Sequence, residues 1–182
     1  MKSDKMPTLF LTLGLPASGK TYFTERLATD EHIFLLNCDL LRLALIETPK
    51  FTAAEHQYVF SVADFIVEQH LKQCQSVIYG ANANRIENRL AWVERARASE
   101  QKYSVVTIWV KTPLEVVKER IAKRTHEIPP EKRVHTAEEL LAIMQKNLQA
   151  PTPEEHAIEI DGTLPYHEQR LQFDEQFRQL HN

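Results

Sequence analysis

The sequence predicts a three-layer α/β domain: a parallel sheet of about five strands with helices on both faces. Three observations carry this expectation. Strand-like apolar runs alternate with helix-period segments along the whole chain, the pattern of parallel strands joined by helical crossovers. The first of these runs passes directly into Gly14-Leu15-Pro16-Ala17-Ser18-Gly19-Lys20-Thr21, a glycine-bounded turn that opens a helix. The 182 residues, 43% of them hydrophobic, show no low-complexity stretch, long linker or internal repeat, so one domain over residues 1–182 is expected.

The elements follow in order. Thr8 to Leu13 alternates β-favouring apolar residues with threonine and reads as a buried strand. Lys20 to Ala28 reads as the helix after the turn. Ile33 to Leu36 is a second strand ending at Asn37-Cys38-Asp39. Thr52-Ala53-Ala54-Glu55 is a capping box; it opens a helix whose Val59, Val62, Ala63, Ile66 and Val67 share one face, extended by Leu71. Val77 to Tyr79 is a third strand, 85–99 a helix, and Tyr103 to Val110 a fourth strand. Thr112-Pro113-Leu114-Glu115 combines a cap, a proline at the first helical position and a glutamate three residues on, which starts another helix. Thr136-Ala137-Glu138-Glu139 caps a helix reaching about Gln149, before Pro151 and Pro153. Ala157 to Ile160 is a last short strand, followed by Asp161-Gly162, and His167 to Leu180 a terminal helix.

Bulk properties exclude some classes of function. A net charge of −3 makes no global electrostatic case for nucleic-acid binding, although a local basic patch remains compatible with it. No apolar run approaches the roughly 18 residues of a membrane span. Cys38 and Cys74 are the only cysteines and lack metal-ligand spacing. Two reduced thiols in a cytoplasmic protein are expected. The histidines likewise show no ligand spacing.

Gly14 and Gly19-Lys20-Thr21 satisfy the G-x-x-x-x-G-K-[ST] phosphate-loop pattern. Glycines let the backbone approach phosphates, and successive N–H groups form an anion nest at the positive end of the following helix. Lys20 then bridges the β- and γ-phosphates, and the Thr21 hydroxyl is a magnesium ligand. With glycine near 7% of average composition, a chance match in a chain of this length is expected at roughly 1% or less. ATP with magnesium is the expected ligand; the Asn-Lys-x-Asp pattern of guanine-specific GTPases is absent.

Asp39 stands at the end of the second strand, and ligands of open α/β sheets lie outside the carboxyl ends of strands. A carboxylate there can accept the proton of an acceptor hydroxyl, and Arg42 can steer an anionic acceptor. Equally, Asp39 can simply cap the helix starting at Leu40. Asn82 can bond an acceptor or serve as a turn residue. Arg120 and Arg124 share a helix face at i,i+4, and the segment around 124–136, with Ile128-Pro129-Pro130 and Lys132-Arg133, suits a hinged lid. For Asp161-Gly162-Thr163 an ordinary turn is the preferred reading.

A strand, then Gly-x-Pro-x-Ser-Gly-Lys-Thr, then a strand ending in Asp-x-x-Arg resembles the P-loop kinases related to polynucleotide 5′-kinase, the zeta toxins and chloramphenicol phosphotransferase. Nearly the whole chain fits that order of parts. The resemblance implies Asp39 as catalytic base, with Lys20 and Arg124 assisting transfer, and Arg42, Asn82 and Arg89 as acceptor contacts. It further implies Arg120, Arg124 and Arg133 as lid arginines that meet the phosphates. Such kinases usually carry an aspartate where this chain has Gly80. The resulting expectation is transfer of the γ-phosphoryl group of ATP to an unidentified hydroxyl, on a small molecule or a 5′-hydroxyl nucleic acid. The alternative is a nucleotide-binding switch or slow NTPase. No membrane contact is expected, and neither a protein partner nor an oligomeric state can be read.

Overall fold

The computed structural model describes residues 6–80, 83–127, 137–155 and 157–180. Five parallel strands form one sheet: β1 (Thr8–Leu13), β2 (Phe34–Asn37), β3 (Val77–Gly80), β4 (Ser104–Lys111) and β5 (Ile158–Asp161). Their spatial order is β2-β3-β1-β4-β5. The central strand β1 is buried at all six positions, as both faces of a parallel sheet require.

The helices are α1 (Lys20–Glu31), α2 (Cys38–Leu45), α3 (Ala53–Lys72), α4 (Ile86–Ala98), α5 (Leu114–Glu127), α6 (Ala137–Asn147) and α7 (Tyr166–Gln179). The period of two in the strands divides the core between two faces. Leu9 and Leu11 of β1 and Val77 and Tyr79 of β3 pack with Ala63, Val67 and Leu71 of α3 and Trp92 of α4. Phe10 and Ile78, one position out of step, face Phe23 and Leu27 of α1 and Phe173 of α7. A third, smaller cluster joins Val117 and Ile121 of α5 to Leu141 of α6, with Leu15 and Ala17 of the glycine-bounded loop packed against it.

One boundary and one cap differ from the sequence expectation, while the cap expected at Thr52 is present. The first helix runs to Glu31, because His32 takes a left-handed conformation (φ 52) and returns its N–H to Ala28 and Thr29. Thr52 caps α3, accepting from the Glu55 amide at 3.2 Å. The Glu55 carboxylate turns back to the Lys50 amide at 2.8 Å, and that bond holds its pKa below the ordinary carboxyl value. The Thr112 hydroxyl is drawn away from the expected cap and donates to the Ser18 carbonyl at 2.7 Å. The expected cap at Thr136 and most of the 124–136 lid lie outside the described residues. No helix among the described residues is long and apolar enough to cross a membrane.

Candidate functional site

β1 lies between β3 and β4, so the chain crosses to opposite sides of it in successive halves of the fold. The crevice at the carboxyl end of such a strand is where open α/β sheets bind ligands, and Gly14 to Thr21 lies there. Two glycines of this loop adopt positive φ, 150° at Gly14 and 104° at Gly19. A Cβ at Gly14 would stand 2.6 Å from the Val110 carbonyl oxygen and 2.8 Å from the Ser18 Oγ. Ser18 Oγ is buried with no hydrogen-bond partner.

Lys20 Nζ donates to the Gly14 carbonyl at 2.9 Å and the Leu15 carbonyl at 2.7 Å, which folds its ammonium across the loop. Thr21 is exposed in the first turn of α1. The donors present fit a magnesium–triphosphate ligand: a positive helix end, an ammonium beside it and an unburied hydroxyl.

Two residues given no site role by the sequence reading hold this loop. The Gly14 amide donates to Asn84 Oδ1 at 3.1 Å, and Asn84 is 1% exposed. The Ala83 amide bonds Thr12 O at 3.1 Å, so the segment after β3 is stitched alongside the end of β1. Asn84 was visible in sequence only as one asparagine in a turn-like run. Gly162 is the other. A Cβ there would meet the Ser18 carbonyl oxygen and Thr112 Oγ1, both at 2.1 Å. The segment 161–163 is a turn, as preferred, and it is packed against the phosphate loop.

Arg120, expected as a lid arginine, is a clamp in this structure. It donates to the carbonyls of Ala17 at 3.2 Å, Ser18 at 3.4 Å and Gly162 at 2.9 Å. Arg124 falls on α5, but its side chain lies outside the described set, and Arg133 and Asn82 lie outside the described residues altogether.

The helix after β2 begins one residue earlier than Asp39. Asn37 caps it, accepting from the amides of Asp39 at 2.9 Å and Leu40 at 3.2 Å. The capping role open to Asp39 is thus taken by its neighbour, and the exposed Asp39 carboxylate makes no hydrogen bond or ion pair among the described residues. It sits at the carboxyl edge of the sheet, the edge that carries the phosphate loop.

Arg42 is 4% exposed. Its Nη2 donates to His56 Nδ1 at 2.9 Å, which fixes the tautomer with the proton on Nε2, since guanidinium has no acceptor. Nε and Nη1 have no hydrogen-bond partner, although Nη1 lies 3.8 Å from Glu55 Oε2. A buried guanidinium with vacant donors is suited to an incoming oxygen acceptor.

Arg89 is a correction. Expected as an acceptor contact, it is 1% exposed and consumed by the protein. Nε pairs with Glu155 Oε1 at 2.5 Å, and Nη1 donates to Ala83 O at 2.7 Å. Burial pushes the Glu155 carboxyl up, but the Arg89 bond and the Thr152 amide outweigh it and leave the pKa below its ordinary value.

Gly80 pairs with Asn37 across β2 and β3. A Cβ at Gly80 would lie 2.9 Å from the Leu36 carbonyl oxygen, so the backbone has closed over the position where the sequence resemblance leads one to expect aspartate. Burial pushes the Cys38 thiol up to about 12, and both cysteines are free.

A family model described as an AAA domain matches residues 9–151. A search of curated proteins finds no match. Among solved structures, a gluconokinase from Sinorhizobium meliloti 1021 superposes with a TM-score of 0.68 at 19% identity, over 97% of this chain and 94% of that one. A sugar kinase from Janibacter sp. HTCC2649 does so at 0.61 and 18% identity, over 91% and 90%. A chain of the Pnkp1/Rnl/Hen1 RNA repair complex matches at 0.61 and 19% identity, over 80% of this chain and 46% of that chain. At these identities the likeness is one of fold.

Proposed function

Because the chain belongs to the family of P-loop AAA domains, we propose that it is an ATP-dependent kinase that phosphorylates a hydroxyl group. The observation that carries this reading is Asp39: an exposed carboxylate at the carboxyl edge of the sheet, relieved of capping by Asn37. The backbone amides of the loop would hold the triphosphate, with Lys20 leaving the Gly14 and Leu15 carbonyls for the β- and γ-phosphates. Thr21 would hold magnesium, which supplies neutralisation of phosphate charge. Asp39 accepts the acceptor proton while the acceptor oxygen bonds the γ-phosphorus. The bond to the β–γ bridging oxygen breaks, and ADP leaves with its electron pair. Arg42 would orient the acceptor through its vacant nitrogens, and Arg124 would meet the charge that develops on the transferring group. The cytoplasm, where both free thiols stay reduced, is the compartment that suits this reading.

An acceptor screen with labelled ATP tests the assignment. Lys20→Ala should abolish transfer, and Asp39→Asn should lower kcat by about 10²-fold or more with ATP binding retained. Equal turnover by Asp39→Asn and the unmodified protein would remove the base from the mechanism.

Gly80 favours a second reading, a nucleotide-binding switch with slow hydrolysis. Under it, ATP consumption stays slow and independent of every acceptor pool, whether nucleosides, metabolites or 5′-hydroxyl oligonucleotides.

A further inference from the structure

The helices α3 and α4 flank the same face of the sheet and leave a gap between them. A cavity of about 160 Å³ opens there, floored by Tyr79 of β3 and walled by Phe60 and Asp64 of α3 and by Ala91, Trp92 and Arg95 of α4. We propose that this cavity is the acceptor pocket, and that it takes a compact ring-bearing alcohol that is neutral or cationic. The inference rests on the kinase reading above and adds the substrate class.

Size limits the occupant first. An apolar cavity of roughly 150 Å³ holds one benzene-sized ring, so a single ring with short substituents fits and a nucleotide does not. The lining then selects a ring. Tyr79 and Trp92 meet edge to face, with centroids 5.8 Å apart and planes at 87°, and they are 3% and 5% exposed. Such aromatic walls are rigid and favour another ring or an apolar ring face.

Charge sets the last limit. Arg95 pairs with Asp64 at 2.7 Å and with Glu68 at 3.7 Å, while its guanidinium covers the Trp92 ring at 4.5 Å. Two carboxylates against one guanidinium leave this wall with a formal charge of −1. Tyr79 donates its hydroxyl to Asp64 Oδ1 at 2.8 Å, which commits that donor, and the excess negative charge of the wall opposes an anionic ligand. The exposed Asn88 amide on the lining offers both a donor and an acceptor to a neutral polar substituent.

Position connects the cavity to both halves of the transfer site. Ala83 lines it, and the next residue, Asn84, holds the Gly14 amide of the phosphate loop. Tyr79 also shares a core cluster with Cys38, the residue before Asp39. A ring seated between Trp92 and Phe60 would therefore extend its hydroxyl toward the edge shared by Asp39 and the loop. There the oxygen bonds the γ-phosphorus of ATP, its proton passes to Asp39, and ADP departs.

The test uses benzyl alcohol and 4-(aminomethyl)benzyl alcohol as probes, with gluconate and a 5′-hydroxyl oligonucleotide as anionic comparators. Binding without nucleotide is read from the indole N–H resonance of Trp92, one of two tryptophans, assigned with Trp109→Phe. Turnover is read as ATP consumption. The ring alcohols should shift the Trp92 signal saturably and raise ATP consumption roughly tenfold or more, and the anions should do neither. Ala91 is exposed on α4, so Ala91→Phe should plug the cavity in a folded protein, abolishing both effects while ATP binding persists. Phosphorylation of gluconate or the oligonucleotide, unaffected by Ala91→Phe, would keep the kinase and overturn the pocket. Ring alcohols that bind while no compound raises ATP consumption would overturn the kinase reading and the acceptor assignment with it. Absence of any Trp92 shift would overturn the pocket alone.

Discussion

Single residues decide how the phosphate loop is held. Gly162 is closed to any Cβ by the Ser18 carbonyl and Thr112 hydroxyl. Gly162→Ala should therefore push the Asp161–Thr163 segment off the loop, lowering Tm in a thermal melt and weakening ATP binding in calorimetry. Arg120 bonds the same two segments. A clamp and a catalytic lid arginine differ kinetically. Arg120→Ala should raise KM for ATP several-fold and leave kcat within about threefold, because the loss falls on ground-state binding. At Gly80, restoring an aspartate should cost about 1–3 kcal/mol in denaturant unfolding, since its Cβ would crowd the Leu36 carbonyl.

At the scale of elements, side chains finish what the backbone leaves open. Asn37 caps α2 through two amides, so Asn37→Ala should cost about 1 kcal/mol and also disturb Asp39, whose amide it holds. Edge strand β5 is covered by a glutamine ladder on α7. Gln176 accepts from the Glu159 amide at 2.9 Å and donates to its carbonyl at 2.8 Å, and Gln172 accepts from the Asp161 amide at 2.9 Å. A primary amide thereby imitates the neighbouring strand that is missing and blunts an otherwise open edge. Replacing Gln172 and Gln176 with alanine should increase concentration-dependent aggregation, measured by light scattering, with little change in nucleotide binding.

For the whole molecule, the Arg89–Glu155 pair joins α4 to the turn before β5, residues 66 apart. Both side chains are buried, at 1% and 7% exposure. Removing one partner strands a buried charge, so Arg89→Met should cost about 3–5 kcal/mol, and the double change Arg89→Met with Glu155→Leu should recover much of it. The Glu155 pKa is depressed in the folded protein. Its contribution is therefore complete above the ordinary carboxyl value of 4.5 and is lost as pH falls through the folded value below it. Acid titration of Glu155→Gln should show a shallower loss of stability in that window than the unmodified protein.

What the sequence determined by itself was local. Alternating β1, the Thr52 cap, the amphipathic face of α3 and the Gly14 to Thr21 loop are all written within a few turns of chain. Their periodicities and caps act over those same distances. The three layers follow because each such element must bury one apolar side. Tertiary structure decided the strand order and the fates of Arg89, Arg120 and Gly162. For Arg89, Arg120 and Gly162, the groups met include carbonyls, a carboxylate and a hydroxyl brought from distant segments. A surface arginine and a buried one look alike in sequence, because burial belongs to the packed chain and to no residue alone.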